Sequence, residues 1–482
     1  MTNNGETIII EFPSDLKGMA DAVQAFLSEV KKVRADHSKG GGAVDYERVE
    51  KQYGELSARI ECEAHGATLR SLASDANRVS IRGKLCASVG TFTADFFTKS
   101  GPTPVPRKLF REVGVRNGPT FDPVALRIGA VQEHWLPGTA KSIAHLVQQG
   151  TSREAEVTAQ EMGRLPYSRT SMERIAHAVG TLFVAQSADI EDRLIEEVQI
   201  PEGTAGISVS VDRAALAMEE PRPRPKGRPR KNAPKNPISR AWRMAYCATV
   251  TLHDSKGKAL YTERFGWTPG TDVESISDLL ARNVASLLLR NPRLKLSLLT
   301  DGSEDVQNIL GTYINREWQG VEVTSLIDYW HVVEKLAAAA RAMFPEAERK
   351  AILARWKKFL LTSSSAHASI LAELRASEKE WVRIGGEAPV HAAITYLENQ
   401  GHRMDYRRAR RAGFPIGSGN VEATCKSLIQ VRMRRSGSRW KEQTAQHILS
   451  LRAVALSDLW NDAISMALES LRTSVRNVCR AA

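Results

Sequence analysis

The sequence contains no apolar run of the roughly 18 to 20 residues that a membrane-spanning helix needs. It opens with Met-Thr-Asn-Asn-Gly-Glu, which has neither the basic start nor the apolar core of a signal peptide. Its cysteines are scattered and include no CxxC pair, which argues against a zinc site or a disulfide framework. We therefore expect a cytoplasmic protein with no membrane partner.

Charge, by contrast, is plentiful and unevenly placed. The 482 residues are 42% hydrophobic and 25% charged, an ordinary globular composition with room for two to four domains. The net charge of +12 is concentrated at residues 222–243, 403–411 and 432–441. Such clusters predict a polyanionic partner, nucleic acid first of all, although a charge run can also be a solvated face.

Hydrophobic periodicity divides the chain into segments. The pattern predicts an α/β protein whose mixed sheet is split by an all-helical insertion and preceded by a mainly helical region with a small β-sheet. The predicted segments are an N-terminal helical region (1–76), a small β region (77–115), a helical region (116–205), the first part of an αβ core (206–327) with a basic linker (219–241), a helical insertion (328–412), and the second part of the core with C-terminal helices (413–482).

A helix-turn-helix is predicted inside the third segment. Residues 152–162 and 168–179 read as two helices separated by a Gly-containing turn. In this motif the start of the second helix contacts bases, which here would involve Arg169, Thr170 and Arg174. Helix pairs of this kind also occur in proteins that do not bind DNA.

Two aspartates end predicted strands. Residues 207–211 alternate apolar and polar side chains and end on Asp212, and an apolar run at 294–299 ends on Asp301. Between them, runs at 246–252 and 259–265 form a predicted hairpin. If the first and fourth strands are neighbours, both aspartates emerge at the same edge of the sheet.

A third carboxylate follows a glycine turn. Gly417 and Gly419 permit a tight, strained entry into a helix that Ser418 or Asn420 can cap, with Glu422 in its first turn. Taken alone, this stretch is more typical of a capped helix whose acid complements the helix dipole. Three converging carboxylates repel one another unless a cation neutralises them, so the set predicts two Mg²⁺ ions, with Mn²⁺ as a substitute.

These motifs, in this order, resemble a known family. Val209-Ser-Val-Asp212, Thr300-Asp-Gly302, Asp328-Tyr-Trp-His331 and Ile416-Gly-Ser-Gly-Asn-Val-Glu422, with Arg432-Met-Arg-Arg435 and Arg439-Trp440, are similar to bacterial insertion-sequence DDE transposases of the ISKra type, relatives of the Mutator group. The resemblance covers about 80–460. It implies an RNase H-like catalytic core with Asp212, Asp301 and Glu422 as the metal-binding catalytic triad. Arg213 departs from it, since many relatives have Gly there.

The resemblance implies partners and further sites. The protein would cut DNA at the ends of its own mobile element and join them to target DNA, acting at the bacterial nucleoid on double-stranded DNA, as a homo-oligomer when it pairs two ends. Asp328, Trp330 and His331 would position DNA near the metals, with Trp330 stacking on an unpaired base. The alternative is that Asp328 caps a helix and His331 forms a structural hydrogen bond.

Two basic clusters are predicted to contact DNA. The first resembles an AT-hook, in which an extended Arg-Pro-Arg enters a narrow minor groove; its alternative is a basic tether without sequence preference. The second lies just beyond Glu422 and would contact phosphates. The two clusters comprise Lys226, Gly227, Arg228, Pro229, Arg230 and Lys231, and Arg432, Arg434, Arg435, Arg439 and Lys441.

Two competing functions remain open from sequence. One is a transposase-derived DNA-binding or architectural protein without catalysis. The other is a stand-alone nuclease with the same core that does not transfer strands.

Overall fold

The computed structural model describes residues 9–37, 43–221, 238–303, 306, 309–310 and 321–478. The chain divides into two compact units, residues 1–185 together with 464–482, and residues 186–463. Both helices and sheets are present in quantity, which confirms the mixed α/β class. None of the helices in the described part of the chain is long and apolar enough to cross a membrane.

The first unit combines helices with an antiparallel sheet. Its elements up to residue 185 are α1 (Lys17–His37), α2 (Tyr46–Ser71), β1 (Arg78–Ile81), β2 (Lys84–Thr98), β3 (Gly101–Glu112), β4 (Thr120–Phe121), α3 (Pro123–Ile128), α4 (Pro137–Gln149), α5 (Ser152–Glu161) and α6 (Arg169–Ala185). Asp122 fixes the start of α3, because its side chain accepts from two backbone N–H groups of the first turn and pairs with Arg107 at 2.7 Å.

The second unit is built on a five-stranded mixed sheet. Its elements up to residue 327 are α7 (Ser187–Glu197), β5 (Gly206–Pro221), β6 (Ile238–His253), β7 (Ala259–Trp267), α8 (Val273–Arg290), β8 (Lys295–Thr300) and β9 (Val323–Ile327). The strand order is β7-β6-β5-β8-β9, with β8 parallel to β5 and to β9, and β6 antiparallel to its neighbours. Ile276, Leu280 and Val284 of α8 are buried against the sheet in one core cluster.

The first core strand does not end at Asp212, as the alternation predicted. β5 continues to Pro221 and pairs with β6 throughout, from Gly206 opposite His253 to Pro221 opposite Ile238. Leu216 and Met218 are buried on this extension, so packing sustains it where the sequence alternation has lapsed. The predicted linker 219–241 is therefore strand at both ends.

The segment after β9 consists of helices joined by turns, the longest non-helical stretch being residues 376–388, and it has its own core. It comprises α9 (Tyr329–Met343), α10 (Glu346–Thr362), α11 (Ala366–Arg375), α12 (Pro389–Gln400) and α13 (Tyr406–Ala412). Trp356, Leu360 and Tyr406 are almost wholly buried in a cluster of this segment with Ile327 at the end of β9.

The chain then returns to the sheet. It forms α14 (Gly419–Thr424), a π-helical turn (Cys425–Gln430), α15 (Val431–Met433), α16 (Glu442–Leu456), α17 (Trp460–Glu469) and β10 (Val475–Asn477). β10 pairs antiparallel with β1 of the first unit, and Val475 packs in the core there beside Val79 and Phe110. Residues 413–463 belong to the second unit and residues 464–482 to the first, whereas the sequence predicted one C-terminal segment, 413–482.

Candidate metal centre and nucleic-acid surface

Asp212 and Asp301 lie at the same level on neighbouring parts of the sheet, Asp212 within β5 and Asp301 directly after β8. The last matched pair of β5 and β8 is Ser210 with Leu299, and each chain reaches its aspartate two residues later. Both carboxylates therefore lie at the carboxyl end of the parallel pair, the usual place for ligand-binding groups in open sheets. Asp301 is held by its neighbours: its Oδ1 accepts from the Ser303 N–H at 2.8 Å, and its carbonyl accepts from the Tyr396 hydroxyl at 2.8 Å.

Asp328 joins the glycine turn to the sheet. It is fully buried, its N–H donates to the Thr300 carbonyl at 2.8 Å, and its carboxylate accepts from the N–H groups of Trp330, His331 and Ser418. Because this carboxylate has no exposed surface, Asp328 could position DNA only through the residues that it holds in place. It is the helix cap that the alternative interpretation described, and it also anchors the turn before α14.

The anchored turn fixes Glu422. The Tyr329 N–H donates to the Ile416 carbonyl at 2.9 Å, and the Ser418 hydroxyl donates to Glu422 Oε1 at 2.8 Å. Ser418 occupies the N-cap position of α14, although its hydroxyl serves the carboxylate rather than the backbone. The orientation of Glu422 is thus fixed by one hydrogen bond to the backbone before the turn and by another to its own carboxylate.

The glycines of this turn act by size rather than by strain. Neither Gly417 nor Gly419 has a positive φ, so the strained entry predicted from sequence is absent. A Cβ at Gly417 would lie 3.1 Å from the Trp330 ring, whereas one at Gly419 would meet nothing within 4 Å. Close packing of Gly417 on the indole therefore explains one glycine and leaves the other without a structural requirement.

The three carboxylates interact electrostatically. Burial raises the pKa of Asp212, and the negative charges of Asp301 and Glu422 raise it further. The Arg213 N–H, which donates to Asp212 Oδ1 at 2.7 Å, and the Cys425 thiol oppose this rise. Asp212 and Asp301 are partly buried, while the Glu422 side chain is 51% exposed and leaves the site open to solvent.

His331 and Trp330 border the carboxylates. His331 Nε2 lies 3.6 Å from Glu422 Oε1, and its Nδ1 lies 3.6 Å from Glu334. The Trp330 ring is 54% exposed, with the Lys357 ammonium 5.0 Å from its centroid. The imidazole is therefore placed to orient Glu422, and the indole presents an exposed ring beside the centre.

One predicted phosphate ligand is buried instead. Arg432 is only 5% exposed, and its guanidinium lies over the Trp440 ring at 5.2 Å. Trp440 in turn exchanges backbone hydrogen bonds with β5, donating to Ala217 at 3.0 Å and accepting from Glu219 at 2.8 Å. Arg432 therefore belongs to the packing that holds the chain after Glu422 against the extended strand, and its assignment as a DNA contact is corrected.

The other basic side chains of this cluster reach the surface to different degrees. Arg434, Arg439 and Lys441 are exposed and Arg435 is partly buried; Arg439 lies 3.9 Å from Glu219. Arg434 lies 5.6 Å from the ring of Trp242, which is 51% exposed on β6. Arg240 approaches the same ring at 4.6 Å. The sequence did not indicate this exposed indole between two guanidinium groups, because Arg434 is distant from β6 in the sequence and approaches Trp242 only in the folded chain.

In the first unit, α4, α5 and α6 pack together, and the loop between α5 and α6 has positive φ at Gly163 and Leu165. Arg169, Thr170 and Arg174 are exposed at the start of α6. The Arg174 guanidinium donates to Gln132 at 2.6 Å. This arrangement is compatible with a helix-turn-helix and leaves its DNA contacts a prediction. The AT-hook-like segment, residues 226–231, lies outside the described residues.

A second feature missed from sequence lies beside Asp212. One ligand atom from each of Asp212, Cys247 and Cys425 lies within 4.8 Å of the others. Cysteines this far apart in the sequence form no recognisable motif. The absence of a CxxC pair therefore does not argue against a metal site at Cys247 and Cys425. The register, with Cys247 directly opposite Asp212, is the signal that would have revealed it.

Comparison with known proteins adds no identification. No protein-family model matches this chain, and no curated protein matches it.

Proposed function

We propose that the protein is a metal-dependent DNA transposase of the DDE type, with an RNase H-like core in the second unit. The observation that carries the proposal is the register of the sheet, which sets Asp212 and Asp301 each two residues beyond the last parallel pair of β5 and β8; the nearby charges of Asp301 and Glu422 help to raise the pKa of Asp212. The β7-β6-β5-β8-β9 order with one antiparallel neighbour of β5 supports the same core.

The ligand types suit a hard divalent cation, although in the described part of the chain the carboxylate oxygens of Asp212, Asp301 and Glu422 do not all lie within 4.8 Å of one another, so an ion would have to draw them together. Asp212, Asp301 and Glu422 offer carboxylate oxygens on an open side of the sheet, the type of ligand that Mg²⁺ takes in phosphoryl-transfer sites. When bound, two Mg²⁺ ions would polarise the attacking oxygen and stabilise the leaving oxygen in phosphodiester cleavage and in strand transfer. The mutual repulsion of the three carboxylates is the physical reason to expect that cation affinity.

The surrounding residues would hold the substrate and the glutamate. Asp328 and Ser418 fix the turn that carries Glu422, and His331 lies within 3.6 Å of that carboxylate. Arg434, Arg439 and Lys441 would bind phosphates of the DNA backbone, which fix position without reading sequence. Function would therefore require double-stranded DNA at element ends and at the target, a nucleoid location, and a homo-oligomer when two ends are paired.

The test uses a plasmid that carries the DNA flanking this coding region on both sides of a marker. We expect Mg²⁺-dependent cleavage at the marker ends and joined products with a second plasmid, both lost in Asp212→Asn. DNA retention in a gel-shift assay should persist in that variant. Asp278→Asn, which changes an exposed aspartate on α8, is the matched control and should cleave normally.

Three results would contradict the proposal in different ways. Binding without cleavage by the unaltered protein would favour the architectural alternative, and cleavage without joined products would favour the nuclease. Equal cleavage by Asp212→Asn would remove the carboxylate group from the chemistry altogether.

A further inference from the structure

Two buried cysteines lie beside Asp212. Cys247 and Cys425 are 0% and 2% exposed, and their sulfur atoms lie within 4.8 Å of each other and of an Asp212 oxygen. The Cys247 thiol donates to the Val421 carbonyl at 3.9 Å, in the helix that carries Glu422. Two sulfur donors and one carboxylate thus converge on a common point.

The fold itself dictates this convergence. Cys247 is the cross-strand partner of Asp212 in the antiparallel pair, so the two side chains stand side by side on one face of the sheet. Cys425 follows Glu422 by three residues on the continuing helix and therefore points to the same side. It begins the π-helical turn Cys425–Gln430, a feature that often marks functional positions in helices.

We propose that Asp212, Cys247 and Cys425 form a second metal site, selective for a soft divalent cation such as Zn²⁺. Sulfur ligands favour Zn²⁺ over Mg²⁺, and three protein ligands with an open fourth position form a common zinc arrangement. Ligand atoms around tetrahedral zinc lie about 3.3 to 3.8 Å apart. The three ligand atoms lie within 4.8 Å of one another, so zinc binding would require them to approach by about 1 to 1.5 Å at most. Binding would release the two thiol protons to solvent.

Occupancy of this site has a functional consequence, which rests on the proposed function. Asp212 would be shared between the thiolate site and the carboxylate site. A Zn²⁺ ion held by the two sulfurs would therefore withdraw Asp212 from the Mg²⁺ ligands, and Zn²⁺ would inhibit cleavage without touching DNA. The metal site itself does not depend on catalysis.

Cobalt(II) provides a direct probe, because Co²⁺ bound to thiolate gives an intense near-ultraviolet charge-transfer band. We expect one equivalent of Co²⁺ to produce this band in the full-length protein and Zn²⁺ to displace it. A triple variant, Cys62→Ser, Cys86→Ser and Cys479→Ser, leaves only the two clustered cysteines and should keep the band. Either Cys247→Ser or Cys425→Ser should remove it.

Carboxylate variants separate this proposal from the catalytic one. Asp212→Asn should weaken Co²⁺ binding at least tenfold, whereas Asp301→Asn should retain the band. Absence of the band in the unaltered protein, or an equal band in a Cys425→Ser protein with an unchanged circular dichroism spectrum, would overturn the site. These outcomes are independent of any DNA cleavage.

The inhibition is measured at constant Mg²⁺. The ratio of cleavage rates with and without Zn²⁺ should fall at least tenfold in the unaltered protein and stay near one in Cys425→Ser. A cobalt band without inhibition by Zn²⁺ would exclude Asp212 from the thiolate ligand set and so contradict the shared-ligand part of the proposal.

Discussion

Two buried acids of the same sheet are stabilised in different ways. Glu263 on β7 is 6% exposed, and its carboxylate accepts from the Asn283 amide on α8 at 2.6 Å. Burial raises its pKa to about 7. Asp212 on β5 also has a raised pKa, but part of the rise comes from Asp301 and Glu422. One acid is isolated in a closed core, and the other belongs to a group of like charges.

This difference in environment predicts that Asp212, rather than Glu263, would be stabilised by a nearby cation. A single proton relieves the buried charge of Glu263, and an amide of similar shape would serve the same contact with Asn283. Part of the rise in the Asp212 pKa comes instead from neighbouring negative charges, which a cation would offset. We therefore propose that nearby like charges, rather than burial alone, distinguish a candidate metal centre from a core acid.

The largest difference that we expect between the two acids is in the rate of DNA cleavage after substitution. We expect Glu422→Gln to lower Mg²⁺-dependent cleavage by roughly 10³-fold, since loss of one metal ligand removes several kcal/mol of transition-state stabilisation. Glu263→Gln, the matched amide substitution in the core, should cleave within about twofold of the unaltered protein, as expected for a change distant from the metal ligands. Cleavage rates on the same plasmid measure both.

Loss of cleavage in a folded Glu263→Gln protein would break the comparison, because the core acid would then take part in function. Full cleavage by Glu422→Gln would also contradict the comparison, because Glu422 would then have no role in catalysis.

The second effect is on stability and its pH dependence. The pKa of Glu263 rises from 4.5 in the unfolded chain to about 7 in the folded one, so the folded state binds the proton more readily. This group's contribution to the free energy of unfolding therefore falls as pH increases from about 4.5 to 7. Glu263→Gln should stabilise the protein by up to about 3 kcal/mol near pH 8, at about 1.4 kcal/mol per pKa unit.

Urea unfolding of both proteins at about pH 5 and about pH 8 measures this effect. The stabilisation by Glu263→Gln should be smaller at the lower pH, because the folded carboxyl is already neutral there. An equal difference at both pH values would show that Glu263 does not titrate on folding.

The positions of the candidate carboxylates on the fold were largely predictable because their signals are local. The alternation at 207–211 and the apolar run at 294–299 each end at an aspartate, and the glycine turn precedes Glu422. The sheet order then places the two aspartates side by side. That order could be inferred only from resemblance, because periodicity identifies strands but not their neighbours.

The features that were missed depend on contacts between distant residues. Arg432 has the sequence context of a phosphate ligand, yet the Trp440 ring and the edge of β5 bury it. The extension of β5 beyond Asp212 depends on its pairing with β6, which no local pattern encodes. Cys247 and Cys425 likewise meet only through strand register and helix position.

The smallest expected effect concerns the repulsion itself. Without metal, Asp212→Asn removes a buried charge that two neighbouring carboxylates oppose, so the variant should melt about 2 to 4 °C higher than the unaltered protein, as expected for about 1 kcal/mol in a unit of this size. Mg²⁺ should raise the melting temperature of the unaltered protein, because the ion binds only the folded carboxylates. It should not raise that of Asp212→Asn.

Differential scanning fluorimetry with and without Mg²⁺ measures these shifts, with Asp278→Asn as the control. Asp278 is exposed on α8 and pairs with Arg282 at 3.0 Å, so its substitution should leave both melting temperatures nearly unchanged. A lower melting temperature for metal-free Asp212→Asn would mean that the contacts of this carboxylate with the Arg213 N–H and the Cys425 thiol outweigh the repulsion. In that case Asp212 would resemble Glu263, a core acid satisfied by its neighbours, and the electrostatic argument for a metal centre would fail.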